Sequence, residues 1–156
     1  MQAIAPLKKW TVMVWSASDN DLYAYQVGDL DEAEKVGCSD TFQMVAQLDH
    51  RLNPDPAGPR TVQRLELAPD DQPGLRSPVK MDLGEISMSR PEALADFIQW
   101  GMKNYPAENY WLVVSDHGEA WKGACQDDGH EDWMSLPDLH KGCSWPARPP
   151  GANWTS

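Results

Sequence analysis

The sequence predicts an α/β fold of three layers, in which helices cover both faces of a mostly parallel β-sheet. Continuous apolar runs at Trp10–Trp15 and Tyr110–Val114 are typical of strands buried on both faces, which belong to helix-covered parallel sheets. Another strand-like segment, Thr41–Leu48, follows the first run after a helical pattern, and such a crossover is long enough for parallel pairing. The chain has 156 residues, which is enough for one domain with its own core.

The first helix is predicted over about 21–36, because a polar turn precedes it and Gly37 stands where a helix commonly ends. Ser18 or Asp19 is the candidate cap at its beginning. The inward face of this helix is predicted to consist of residues at approximate helical spacing, namely Leu22, Tyr25, Leu30, Ala33 and Val36.

A second helix is predicted after a short strand at Thr61–Leu67 and two proline-rich loops. Ser89 and Glu92 have the spacing of a capping box, and Pro91 suits the first helical turn. The apolar stripe of this helix, which Pro106 ends, is predicted to pack into the core and consists of Leu94, Phe97, Ile98, Met102 and Tyr105.

The C-terminal part is predicted to contain one more short helix, with Ser135 as its cap and an end near Lys141. The segment 143–156 holds three prolines in its middle and has no apolar period, so we expect neither helix nor strand in it. The predicted organisation is therefore one domain over residues 1–142, followed by a tail over residues 143–156.

Composition limits the partners of the protein. The formal net charge is −11, from 13 Lys and Arg against 24 Asp and Glu, which disfavours nucleic acid and anionic membranes and fits a cationic substrate. The three cysteines show no C-x-x-C spacing, so no disulfide framework is predicted. The N-terminal residues lack the apolar core of a secretion signal, and no stretch is long enough to span a bilayer. We expect a soluble protein, and the sequence leaves its compartment and oligomeric state open.

The best candidate for a functional residue is His117, which follows the apolar run at Tyr110–Val114 through Ser115 and Asp116. In parallel sheets, ligands and chemistry gather at the carboxyl ends of the strands. We therefore expect His117 at this edge, with Gly118 allowing the backbone to turn tightly beside it. An ordinary surface histidine in a strand-to-loop turn is the alternative interpretation.

Three other kinds of site have weaker support. A serine hydrolase using Ser115 would need a G-x-S-x-G elbow, which is missing around that serine. The spacing of a candidate zinc set fits no common zinc frame, and this set consists of Cys125, His130, His140 and Cys143. A calcium site has somewhat more support, because hard oxygen ligands cluster, although without an EF-hand frame, at Asp127, Asp128, Glu131 and Asp132. No cofactor is predicted beyond this calcium candidate.

Several blocks of the chain, in this order, resemble the clostripain family of cysteine peptidases, whose fold is related to that of caspases and legumain. The resemblance covers roughly residues 9–141. Its blocks are Trp10–Val14, Ala17–Leu22, Asp82–Glu85, Pro91–Trp100, Trp111–Gly118, Trp121–Gly123 and Asp127–Asp128.

The resemblance implies a histidine–cysteine dyad at the ends of neighbouring parallel strands, where the cysteine attacks a peptide carbonyl and the histidine transfers protons. By this resemblance His117 takes the role of the histidine, and Gly118 lies near the oxyanion site. The family typically cleaves peptides or proteins after Arg or Lys. Its nucleophile usually follows a second apolar strand, in the sequence Asp-Ala-Cys.

The sequence departs from this pattern, because no such strand follows His117. Ala124 and Cys125 match superficially, but Cys125 lies only eight residues beyond the histidine, which is too few to reach a parallel neighbour. We therefore interpret Cys125 as a free thiol in a loop. The chain is expected to represent the truncated front half of a peptidase and to be inactive by itself. The alternative is a non-catalytic α/β binding domain with an acidic surface.

Overall fold

The computed structural model describes residues 7–51 and 61–144 and the backbone of residues 153–154. Strands and helices alternate through the first part of the chain, and a short β-hairpin precedes the last helix. The elements in chain order are β1 (Lys8–Ser16), α1 (Tyr23–Val36), β2 (Phe42–Asp49), β3 (Val62–Glu66), β4 (Val79–Asp82), α2 (Pro91–Asn104), β5 (Ala107–Ser115), β6 (Gly123–Asp127), β7 (Asp132–Ser135), α3 (Leu136–Ser144) and β8 (Asn153–Trp154).

The main sheet has six strands in the order β4-β3-β2-β1-β5-β8, while β6 and β7 pair separately as an antiparallel hairpin. β1 lies between β2 and β5 and is parallel to both, whereas β3 and β4 extend the sheet in antiparallel pairs. This arrangement confirms the predicted α/β fold and places the three predicted parallel strands side by side. In the register of the sheet, Ser16 pairs with both Leu48 and Ser115, so the residues that follow these three meet at one edge.

Helices cover both faces of the sheet. Adjacent side chains of β1 point to opposite faces, so they contact different helices. α2 packs on one face, where Phe97 meets Trp15 with ring centroids 5.8 Å apart, in a core cluster that also holds Met13. α1 packs on the other face, where Leu30 lies in a second cluster that Val14 joins. The apolar residues of β1 therefore contribute to both core clusters, one on each face of the sheet.

The predicted inward face of α1 is wrong at two positions. Tyr25 and Val36 are 72% and 65% exposed, whereas Gln26 and Glu34 are buried. Gln26 Oε1 accepts a hydrogen bond of 2.5 Å from the hydroxyl of Ser16, a partner that only the fold supplies. A buried polar side chain is tolerated once it is hydrogen-bonded. The buried face of α1 therefore includes polar residues and cannot be identified from the apolar residues alone.

The predicted cap of α1 is also wrong. Asn20 Oδ1 accepts the backbone N–H of Leu22 at 2.9 Å, while Ser18 and Asp19 are buried and bond elsewhere. The predicted end is confirmed, since Gly37 follows the helix with a positive φ of 57°. The turn after β1 is thus built around contacts to other parts of the chain.

α2 begins at Pro91 and buries its apolar residues from Leu94 to Met102, as predicted, but the capping box does not form. The hydroxyl of Ser89 donates instead to the carbonyl of Cys125 at 2.9 Å, which ties the start of the helix to β6. The strand β4, which no sequence pattern indicated, is exposed along its whole length and is held by pairing with β3. None of the described helices is long and apolar enough to cross a membrane.

The C-terminal part differs most from the prediction. β6 and β7 form a hairpin where the sequence predicted a loop around Cys125. Strand preferences depend strongly on context, so such short polar strands are hard to recognise from the sequence. α3 continues to Ser144 instead of ending near Lys141. Ser135 does cap this helix, since its hydroxyl accepts the backbone N–H of Asp138 at 3.2 Å.

The expectation that the segment 143–156 contains neither helix nor strand is also wrong. The last two residues of α3 belong to this segment, and Asn153–Trp154 pairs with Asn109–Tyr110 as the short parallel strand β8. Strand pairing uses backbone groups that every residue except proline carries in full, so an open sheet edge can recruit a segment without apolar period.

The outer side of β5 is covered only in part by the described residues. β8 pairs with the beginning of β5, whereas no described strand pairs on that side with the stretch from Trp111 to Ser115. Trp111 is 57% exposed. Open sheet edges with exposed apolar residues favour association between chains.

We predict that Trp111→Lys lowers self-association of the isolated chain, because a charge on an edge strand opposes edge-to-edge pairing. Light scattering over a concentration series measures this effect. Trp121→Lys is the matched control, since Trp121 is 79% exposed but lies in a turn outside the sheet. Equal association of the wild type and the Trp111→Lys variant would contradict the prediction.

Candidate active site

His117 lies two residues beyond the end of β5, at the edge of the sheet that the sequence predicts. Its Nε2 atom is 2.7 Å from Oδ1 of Asp21, which lies in the turn after β1. The imidazole is about one third exposed, at 36%, and the Asp21 side chain is 76% exposed. Because β1 and β5 are parallel neighbours, their ends bring together two residues that are 96 positions apart in the sequence.

Gly118 does not adopt the positive φ that glycine alone accommodates easily. The positive φ values near it belong to Ala120, at 48°, and to Gly123, at 152°. Gly118 instead forms an isolated antiparallel bridge with Ala124, and the space beside its α-carbon is open. The turn after His117 is therefore held by pairing with the hairpin and does not require a glycine at position 118.

Hydrogen bonds connect the turn after β1 to the end of β5 and to the hairpin of β6 and β7. The buried side chain of Asn20 donates through Nδ2 to Oδ1 of Asp116 at 2.7 Å and to the carbonyl of Gln126 at 2.9 Å. Asp19 Oδ2 accepts the backbone N–H of Gly129 at 2.9 Å. The sequence assigned no such role to Asn20 or Asp19, because no local pattern reveals partners that lie 96 to 110 positions away.

Neighbouring carboxylates favour the protonated imidazole. The hydrogen bond with Asp21 raises the pKa of His117, and the charges of Asp21, Asp116 and Asp128 act in the same direction. The same hydrogen bond lowers the pKa of Asp21. The contact therefore favours a protonated imidazole beside an ionised carboxylate.

Buried carboxyl groups are a second feature of this edge, where Asp49 ends β2 and Asp116 follows β5. Burial, followed by the charges of Asp127 and Asp19, raises the pKa of Asp49 to about 8. Burial also raises the pKa of Asp116 to about 6. Asp49 Oδ1 and Asp116 Oδ2 are buried without a hydrogen-bond partner among the described residues. The edge therefore carries acidic groups that hold protons at much higher pH than exposed carboxyl groups do.

These acidic groups are not arranged as a metal centre. In residues 7–51 and 61–144, no group of three or more His, Cys, Asp or Glu side chains is placed to hold a metal ion. The candidate calcium ligands bond separately, since Asp127 accepts the backbone N–H of His130 at 2.9 Å and Asp132 pairs with Arg90 at 3.1 Å. The candidate zinc residues do not converge either.

None of the three cysteines forms a hydrogen bond with His117 in the part of the chain that the structure describes. Cys125 is fully buried within β6, so the prediction that it lies in a loop is wrong. Burial raises the pKa of its thiol to about 12, and a protonated thiol is a poor nucleophile. The Cys38 thiol lies 3.1 Å from the carbonyl of Leu67, and Cys143 lies on α3. Among the described residues, no cysteine thiol forms a hydrogen bond with His117.

Comparison with known proteins gives the family of the chain. The model of the clostripain family, Peptidase C11, matches residues 14–146. A search of curated proteins found no match. The fold is similar to that of a secreted C11 cysteine protease from Bacteroides thetaiotaomicron in complex with an irreversible peptide inhibitor. The TM-score is 0.68 and the identity is 19%, over 88% of this chain and 39% of that chain.

Two further solved structures are similar. An inactive zymogen C11 protease from Parabacteroides distasonis has a TM-score of 0.66 and 21% identity, covering 90% of this chain and 40% of that chain. A clostripain from Bacteroides thetaiotaomicron in complex with a peptide inhibitor has a TM-score of 0.57 and 14% identity, covering 74% of this chain and 96% of that chain. This chain thus spans about two fifths of the length of the first two relatives. Since the family model matches most of its residues, the chain belongs to the clostripain family.

Proposed function

We propose that this chain supplies the proton-transferring part of a clostripain-like cysteine endopeptidase, with His117 as the histidine of a Cys–His dyad. The observation that carries the proposal is the position of His117 at the carboxyl edge of the sheet, paired with Asp21 at 2.7 Å. A dyad histidine takes the proton of the thiol and later gives a proton to the leaving amine. Membership of the clostripain family supports the same role.

The nucleophile in this proposal is a cysteine other than the three in this sequence, on a strand that pairs with the open side of β5. Cys125 does not suit the role, because it is fully buried and its thiol pKa is about 12. Gly118 is proposed to lie near the developing oxyanion, since the space beside its α-carbon is open. Substrates are proposed to be peptides or proteins cleaved after Arg or Lys, and the net charge of −11 favours such cationic chains.

The chain alone is proposed to be inactive. General acid–base catalysis by a histidine contributes only about 10²–10⁴-fold, whereas peptide hydrolysis also needs a nucleophile and a stabilised oxyanion. We expect the purified chain to show no turnover of fluorogenic Arg- or Lys-peptides, with or without an alkylating agent. Turnover that is abolished by Cys125→Ala would make Cys125 the nucleophile, and turnover that survives both Cys125→Ala and His117→Ala would remove the dyad.

Complementation provides the positive test. The chain would be co-expressed with the segment of a C11 relative that carries the Asp-Ala-Cys strand, and the purified assembly assayed on the same peptides. We expect turnover that His117→Ala lowers by about 10²–10⁴-fold, and that Cys125→Ala preserves in any assembly that remains folded. An active assembly that does not depend on His117 would contradict the proposal.

A non-catalytic binding domain with an acidic surface is the second candidate. It is favoured because no described thiol is hydrogen-bonded to His117. This candidate predicts that a labelled Arg-rich peptide binds the chain alone, and that complementation yields a folded assembly without turnover. A folded, inactive assembly that binds the peptide would support it over the peptidase.

A further inference from the structure

The contact between His117 and Asp21 gives the two ring nitrogens different roles. Nε2 is 2.7 Å from Oδ1 of Asp21, and an ionised carboxylate has no hydrogen to donate, so Nε2 carries the hydrogen of this bond. In the part of the chain that the structure describes, Nδ1 has no hydrogen-bond partner. The neutral ring is therefore held with its hydrogen on Nε2 and its lone pair on Nδ1.

We infer that Asp21 is a positioning residue of the dyad, which fixes the orientation and tautomer of His117 so that Nδ1 takes the proton of the nucleophile. In this step the S–H bond of the thiol breaks and an N–H bond forms at Nδ1. The products are a thiolate and an imidazolium whose positive charge lies beside the Asp21 carboxylate. The inference rests on the proposed function of His117 and names the residue that prepares it for that function.

The backbone that carries Asp21 is fixed by its neighbours in the turn. Asn20 is fully buried and Asp19 is 3% exposed, and their side chains bond to the end of β5 and to the hairpin. Surface ion pairs usually contribute little, because long side chains must be ordered to form them. Asp21 has a short side chain on an anchored turn, so little ordering is needed to keep its carboxylate at Nε2.

Other acidic groups act on the imidazole ring of His117 only through their charge. Asp116 Oδ1 accepts from Asn20, and Asp128 Oδ1 accepts from the side chain of Gln126 at 2.8 Å. Both favour the imidazolium electrostatically, but neither forms a side-chain hydrogen bond with the ring. Of the described carboxylates, Asp21 alone is placed to select the tautomer.

NMR of the isolated chain tests the pairing without requiring activity. We expect Asp21→Ala to lower the pKa of His117 and to increase the fraction of neutral rings with hydrogen on Nδ1, while Asp21→Glu restores both in part. Asp29→Ala is the control, because Asp29 is an exposed aspartate of α1 and its replacement removes the same charge. His140 in each spectrum serves as an internal reference. Unchanged pKa and tautomer in the Asp21→Ala protein would overturn the inference.

The complemented assembly tests the role in catalysis. Asp21→Ala should lower kcat by about 10–100-fold with little change in KM, because the ring is bound less accurately. The alkaline limb of the pH–rate profile should move to lower pH, since that limb reports loss of the imidazolium, and Asp21→Glu should recover both. If Asp21→Ala alters the NMR signals of His117 in the isolated chain but the folded assembly is inactive, the pairing with Asp21 stands and the proposed function fails. An active assembly that is unaffected by Asp21→Ala would defeat the positioning role alone.

Discussion

The Asp49→Asn variant is expected to be more stable than the wild type at pH 8 and equally stable near pH 4. Asp49 is 1% exposed, and burial with the charges of Asp127 and Asp19 raises its pKa to about 8 in the folded protein. A carboxyl group whose pKa is raised by folding costs no stability below its unfolded pKa, and costs more as pH rises towards the folded value. At pH 7 this cost is about 4 kcal/mol.

Urea unfolding over the range from about pH 4 to pH 9 measures this effect as a free energy of unfolding. Wild-type stability should fall as pH rises through this range, and Asp49→Asn should flatten the fall. Asp29→Asn is the control, because Asp29 lies on the exposed surface of α1 and loses the same charge. Parallel pH profiles for the wild type and Asp49→Asn would show that Asp49 is not the group responsible.

The Gly123→Ala variant is expected to be destabilised by at least about 3 kcal/mol, from backbone strain together with overpacking. Gly123 begins β6 with φ of 152°, and a β-carbon there would lie 2.1 Å from the carbonyl oxygen of Met134. That oxygen belongs to the backbone of β7, so relief requires the hairpin to separate. The Gly123 carbonyl also accepts the N–H of Glu119 at 2.9 Å, so the turn after His117 should loosen as well.

Gly28→Ala is the matched control for this substitution. Gly28 lies within α1, and the β-carbon that alanine would add meets no atom within 4 Å apart from its chain neighbours and the nearby backbone of its own helix. Alanine should stabilise that helix by about 0.5–1 kcal/mol. Chemical denaturation compares the two variants, and NMR signals of His117 report the state of the turn. If Gly123→Ala were as stable as Gly28→Ala, the close approach of β6 and β7 would be contradicted.

The sequence by itself determined the central sheet and the place of the histidine. The apolar runs at Trp10–Trp15 and Tyr110–Val114 predict neighbouring strands of a helix-covered sheet, and the structure pairs them as β1 and β5, although Trp111 in the second run is 57% exposed. The apolar stripe of α2 and the glycine that ends α1 are equally local signals. Since His117 follows the second run after only Ser115 and Asp116, the sequence also predicts its position at the carboxyl edge.

Only the tertiary structure decided what surrounds that histidine. Asp21, Asn20 and Asp19 meet partners 96 to 110 positions away, because the parallel register of β1 and β5 aligns their ends. The strand β8 likewise depends on the sheet edge that β5 supplies, and the buried Glu34 of α1 accepts the backbone N–H of Arg76, 42 positions away. Hydrogen bonds and close approaches of this kind leave no periodic trace in a sequence, since each partner is an ordinary polar residue or backbone group until the chain has folded.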